Sequence, residues 1–227
     1  MLRRVFFAII LGIAGTIVLA SLGFWQLQRL EWKETLLAER AGRLTSAPVA
    51  LPAHPTEEAD QYLSVAVEGA FLPGDLPVLA STRDVGAMFR IIAPFETTEG
   101  RRLLVDRGYV LDELKDAPRP AGQARLIGNL HWPDEIDSAT PAPDLKVNIW
   151  FGRDVAAMAQ ALGTEPVLLV VRETSEIDTG ITPLPVDTAS IPNNHFSYAV
   201  QWFGFAIVWA AMSLLLIWRQ ARKYESD

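Results

Sequence analysis

The chain has 227 residues, half of them hydrophobic, a formal net charge of −7 and a positive mean hydropathy of +0.18. That apolar excess is too large for an ordinary soluble domain, and the acidic balance argues against a nucleic-acid partner. The absence of cysteine excludes disulfides, thiolate metal sites, cysteine nucleophiles and covalently attached c-type haem, and removes the usual soft ligands of a copper carrier.

Residues 5–25 (VFFAIILGIAGTIVLASLGFW) carry no charge, and at about 1.5 Å per residue they can cross a hydrocarbon core of about 30 Å. A signal peptide cleaved after Val18-Leu19-Ala20 is the rival reading. The apolar run exceeds the usual signal core of about 7 to 15 residues, which favours a span. Gly12, Thr16 and Ala20 recur at four-residue spacing with Gly23 one turn on, a smooth strip suited to close helix packing, although glycine is common in membrane helices anyway.

Residues 26–44 (QLQRLEWKETLLAERAGRL) lack proline and are rich in helix formers, so the first helix is expected to continue outward, with Leu27, Leu30, Leu37 and Ala41 on one stripe. Trp25, Arg29 and Trp32 lie one and two turns apart, flanked by Gln26 and Lys33. Pairing of Arg29 and Lys33 with lipid headgroup phosphate is the default; carboxylates of a bound ligand are the alternative. Residues 45–61, with Pro48, Pro52, Pro55 and the acidic Glu57-Glu58-Asp60, read as a linker.

Residues 62–177 read as a mainly antiparallel-β core, a small sheet or partly closed barrel. Leu63, Val65 and Val67 alternate with small or polar residues, and stretches 103–110, 125–132 and 167–172 are β-prone. One short helix is predicted over 154–162, opening near Asp154 and stopping at Gly163. Residues 178–195 form an extended return segment. Asn193 or Asn194 then caps a second helix whose residues 196–218 are uncharged and again long enough to span.

Arg3 and Arg4 precede the first span; Arg219, Arg222 and Lys223 follow the second. The positive-inside rule therefore places the tails 1–4 and 219–227 in the cytoplasm and residues 26–195 outside, as expected for a multi-pass protein of a bacterial inner membrane with a periplasmic domain. Residues 26–195 hold 15 Lys and Arg against 25 Asp and Glu, and long loops translocate largely regardless of charge. The fold class expected is thus α+β: two transmembrane helices flanking a small outer β domain.

On an ideal helix His195, Tyr198, Ala199, Trp202, Ala206, Trp209 and Ser213 share one face, alternating aromatic and small. Helix packing plus an aromatic belt explains Trp202, Trp209 and Trp218. His195 is less easily absorbed. A histidine at a helix end is more often a solvated side chain than a ligand, yet neutral imidazole binds metals, and ionisable groups at membrane depth are rare. His54 and His131 lie far off in sequence, so a histidine-cluster metal site has little support. No Gly-x-Ser-x-Gly elbow, phosphate-cradling glycine loop or His-Glu-x-x-His motif occurs, and the pairs Asp112-Glu113 and Asp134-Glu135 read as solvated loop charges.

Three stretches resemble one family: Gly23-Phe24-Trp25-Gln26-Leu27-Gln28-Arg29-Leu30-Glu31-Trp32-Lys33, Val105-Asp106-Arg107-Gly108-Tyr109-Val110 and Asn193-Asn194-His195-Phe196-Ser197-Tyr198-Ala199. They are similar to the surfeit-locus-one (Surf-one) family of cytochrome c oxidase assembly factors. Asp106 and Tyr109 stand where many members are expected to carry asparagine and tryptophan.

The resemblance implies a non-enzymatic factor that binds haem a and assists its insertion into subunit I of a haem-copper oxidase, with haem a synthase as a further partner and membrane lipid around both helices. By the same analogy His195 is the haem-iron ligand and also the one metal-binding position. Beyond the resemblance, the physical reading of the residues has Tyr198, Trp202 and Trp25 bordering the macrocycle and Arg29 and Lys33 meeting its propionates at the outer surface. The competing expectations are a scaffold that stabilises oxidase intermediates without haem and, more weakly, a two-span sensor, for which too few residues follow Trp218.

Overall fold

A computed structural model describes residues 2–119, 121–177, 180–187 and 193–225. The chain divides into a helical unit, Met1–Glu39 with Thr188–Asp227, and a β-rich unit, Arg40–Asp187.

The helical unit is built from α1 (Leu2–Thr45) and α4 (His195–Glu225). Both contain a stretch long and apolar enough to cross a membrane, within Val5–Thr45 and His195–Gln220. The hydroxyl of Thr16 donates to the carbonyl of Gly12 at 2.8 Å and that of Ser21 to Val18 at 2.7 Å, so polar side chains in the apolar run satisfy themselves on their own backbone. α1 runs unbroken to Thr45 because no proline interrupts it, and α4 continues past the uncharged stretch to Glu225.

The two helices meet on small residues. A Cβ added at Gly12 would stand 2.8 Å from Cβ of Ser213, one at Gly15 would collide with the Trp209 indole, and one at Gly23 would press on the Phe203 ring at 2.8 Å. Phe24 and Phe203 add an edge-to-face contact with centroids 5.3 Å apart. Gly12 and Gly23 belong to the strip expected from spacing. Gly15 does not, and is required because the indole needs its space. Ala199 and Ala206 are buried, whereas Phe6, Ile17, Ile207 and Leu214 face outward, the apolar exterior that lipid-facing helices carry.

In the β-rich unit the strands are β1 (Val49–Ala50), β2 (Ser64–Phe71), β3 (Leu76–Thr82), β4 (Gly86–Thr97), β5 (Arg102–Val110), β6 (Gln123–Leu130) and β7 (Leu168–Thr174). Pairings β2–β6, β6–β7, β7–β5, β5–β4 and β4–β2 close a five-stranded ring, with β3 outside β4 and β1 outside β2. Closure leaves the ring strands no free edge. The pairs are antiparallel except β5–β7 and β1–β2. The stretch 45–61, expected as a linker, contributes β1 and a helical turn α2 (Glu57–Asp60) capped by Thr56. α3 (Val155–Leu162) opens on the Asp154 carboxylate, which accepts from the Ala157 N–H, and ends at Gly163 with φ 66°, as Asp and Gly at those positions predict.

Two apolar layers explain why several strands lack alternation. Phe95, Leu103, Val105, Leu126, Leu169 and Val171 belong to one core. Ile92, Leu104, Leu168 and Val170 belong to a second with Trp150, from the loop before α3, and Met158 of α3. Strands covered on both faces read as continuous apolar runs; β4, with Ile92 in the second core and Phe95 in the first, therefore carries no period-2 signal.

Two backbone positions are tightly specified. The Leu44 carbonyl near the end of α1 accepts from the Asn129 amide at 3.1 Å and the Arg172 guanidinium at 2.7 Å, which satisfies an orphan carbonyl that the helix terminus leaves. Gly108 has φ 121°, and an added Cβ would collide with the Thr182 carbonyl, whose oxygen accepts from the Tyr109 N–H at 2.8 Å. Gly108→Ala is expected to lower stability by about 2 kcal/mol or more, read as a lower midpoint of thermal unfolding in detergent.

Candidate functional site

α4 starts at His195, with the Tyr198 N–H donating to the Asn194 carbonyl at 3.1 Å. The Asn193 side-chain oxygen is buried and has no partner among the described residues, so it does not serve as the expected side-chain cap. The His195 ring is half-buried, and its Nδ1 lies 2.8 Å from Oε1 of Gln26, itself only 9% exposed. This is the ring's one hydrogen bond among the described residues. With the amide oxygen of Gln26 facing the ring, the bond requires a proton on Nδ1, and a neutral imidazole so held would keep its lone pair on Nε2.

The other predicted positions are distributed along the two helices. Tyr198 is about half exposed and Trp202 is partly buried, edge-on to Phe205 at 6.0 Å. On α1, Trp25 is exposed and precedes Gln26 directly. The Arg29 guanidinium stacks on the Trp32 ring at 4.1 Å, a cation–π contact that leaves its N–H edges available. Lys33 is half-buried and engaged in an interaction of its own. Gln26 is the residue whose role the sequence leaves unassigned: it stands out only as flanking the Trp25, Arg29 and Trp32 row and as part of the stretch that carries the family resemblance. Its signal is an amide at the end of a long uncharged run, where a buried polar group demands a partner.

The β-rich unit holds a second polar constellation. Asp106 on β5 is fully buried and accepts from the Arg90 Nε at 2.7 Å, the Arg153 Nη1 at 3.2 Å and the Gly108 N–H at 3.2 Å. Arg153 also grips Glu135 through its backbone N–H and its guanidinium. Burial alone would raise the Glu135 carboxyl, but these bonds outweigh it and hold it below the usual range. Glu135 is thus a part-exposed ion-pair partner of Arg153 and not simply a solvated loop charge. Asp112 and Glu113 are exposed, as expected of solvated loop charges. Arg107 is buried, paired with Glu176 at 2.7 Å and stacked on Phe71 at 4.1 Å, so the Asp106-Arg107-Gly108 run is structural throughout.

His131 borders this network and stacks on Tyr62 with ring centroids 5.5 Å apart. Burial first, then the charge of Arg153, lowers its pKa to about 4. The unfolded chain, with histidine near 6.5, binds a proton that the folded chain refuses between pH 6.5 and 4, so stability falls as pH drops through that window, by up to about 3 kcal/mol. His131→Gln is expected to flatten urea-unfolding free energy against pH over that range. An unchanged slope would assign the acid sensitivity elsewhere, since Glu135 and Glu165, both lowered, contribute mainly below about pH 4.5.

Among the described residues no three metal-ligating side chains converge. The arrangement offers one imidazole donor on a helix pair. Two apolar helices long enough to cross a membrane, the second headed by His195, together with a unit built as a closed β-barrel, define a two-helix membrane-type protein.

Residues 13–207 match the SURF1 family. The chain is 32% identical over 201 residues to a SURF1-like protein of Rickettsia felis, covering 84% of this chain and 88% of that one. It is 34% identical over 220 residues to surfeit locus protein 1 of Gallus gallus, covering 86% and 69%, and 31% identical over 212 residues to the human surfeit locus protein 1, covering 82% and 69%. The chain belongs to the SURF1 family.

Proposed function

We propose that this chain is a non-enzymatic assembly factor of a haem-copper cytochrome oxidase that carries haem a and hands it to subunit I. The SURF1 family is known for cytochrome oxidase assembly, and that membership supports the coarse role. The finer reading rests on one observation: the bond from His195 Nδ1 to Gln26 at 2.8 Å, which leaves Nε2 as a neutral nitrogen donor, the kind of group that holds haem iron.

The residues present suit a flat apolar cargo with an acidic rim. His195 supplies the iron ligand. Tyr198 and Trp202 on α4 and Trp25 on α1 supply aromatic surface, and Arg29 and Lys33 supply positive charge for carboxylates, one stacked and one half-buried. Lipid would cover the outward apolar faces, with both termini cytoplasmic and the barrel periplasmic in a bacterial inner membrane. Haem a synthase is the natural donor of the cargo.

Purification from cells that make haem a tests the reading. The wild type should carry the pigment in detergent, and its optical spectrum should show nitrogen-ligated iron. A colourless protein that still supports oxidase assembly would replace the carrier with a scaffold. An outward-facing reporter fused after Asp227 would overturn the topology.

A further inference from the structure

We propose that Gln26 is a positioning residue that locks His195 into its Nδ1–H tautomer, so that Nε2 is permanently presented as the donor atom for the iron of a planar porphyrin. This rests on the haem-carrying reading above. Nothing else among the described residues bonds the ring. Left to itself in water, a neutral histidine side chain favours the opposite tautomer, with the proton on Nε2 and no lone pair there to give. The Gln26 oxygen reverses that preference, because it accepts and cannot donate.

Several observations separate this from an incidental contact. Gln26 is buried at the end of an apolar run, on the turn after Gly23, whose missing side chain lets the Phe203 ring of α4 come close. The helix pair is therefore packed tightly just where the amide must meet the ring. A ligating histidine whose other nitrogen is held by an outer partner has its orientation fixed and its basicity raised, and loss of that partner typically weakens metal binding about 10- to 100-fold. The alternative contact, with the Gln26 amide N–H donating to Nδ1, would hold the helices together equally well but leave the proton on Nε2.

The full-length chain labelled with 15N-histidine in micelles provides the test, with the His195 signals assigned by their absence in His195→Ala. Wild type is expected to show a protonated Nδ1 and an unprotonated Nε2. Gln26→Leu, close in size and unable to accept, is expected to move the proton to Nε2. Gln26→Glu keeps an acceptor and is expected to restore Nδ1–H. A wild-type ring protonated on Nε2, or a Gln26→Leu ring still protonated on Nδ1, would overturn the assignment. In haem a titrations Gln26→Leu should bind about tenfold more weakly or worse, with Gln26→Glu near wild type; equal affinity despite a switched tautomer would remove the positioning role. The tautomer is read without haem. If it behaves as expected while His195→Ala binds haem a like the wild type, the carrier reading fails and the tautomer assignment survives.

Discussion

His195→Ala is expected to strip the chain of haem a while leaving its fold intact. The side chain is half-buried, makes one hydrogen bond and packs in neither of the barrel's apolar cores, so its truncation should cost at most the interhelical bond, about 1–2 kcal/mol in a membrane setting. On the haem-carrying reading the same truncation removes the proposed iron ligand, and among the described residues no three His, Asp or Glu side chains converge to offer a metal site in its place. The comparison is pigment per protein and optical spectrum, with Trp202→Phe as a control that keeps the aromatic surface and should keep the pigment. An unchanged spectrum in His195→Ala would end its role as ligand. Retained oxidase assembly with lost pigment would instead divide the protein's work between helices and barrel.

Asp106→Leu is expected to be the most damaging single change in the β-rich unit. Asp106 is 0% exposed and faces two arginines, Arg90 and Arg153, and removing one member of a buried ion network leaves uncompensated charge at a cost of about 3–5 kcal/mol. For a chain of this size that corresponds to a drop in unfolding midpoint on the order of 10 °C. Asp106→Asn keeps an oxygen for the Arg90 guanidinium and an amide in place of a charge, so it should fall well short of that loss. The ordering wild type, then Asn, then Leu, followed by thermal unfolding in detergent, separates charge neutralisation from loss of the acceptor. Equal damage from both variants would show that the charge itself is what the two arginines require. Because the cluster is buried, added salt should change the ordering little.

These two sites also show what could be read from residues alone. The uncharged stretches, the proline-free extension after the first span, the α3 boundaries at Asp154 and Gly163 and the histidine at the head of the second helix were all legible, because local composition and periodicity report local structure and hydropathy. The pairing of β5 with β7, the strands β3 and β4, and the role of Glu135 were not. Their signals depend on what covers a second face or which distant side chain arrives, and β4 with apolar residues on both faces looks the same as any buried run. In the sequence Asp106 stands out only as a departure from a family pattern; its contacts reveal a carboxylate clamped by two guanidiniums.

By itself, the sequence determined that this chain has two membrane-length helices around a β domain and that His195 is the residue to watch, since hydrophobic length and rare ionisable groups are properties of the string. What that histidine touches came only from the tertiary structure. Gln26 and His195 are separated by most of the chain, and only the packing of Gly12, Gly15 and Gly23 against α4 brings an amide oxygen to one ring nitrogen. A tautomer is chosen by a neighbour within hydrogen-bond reach, and the neighbour is supplied by the fold.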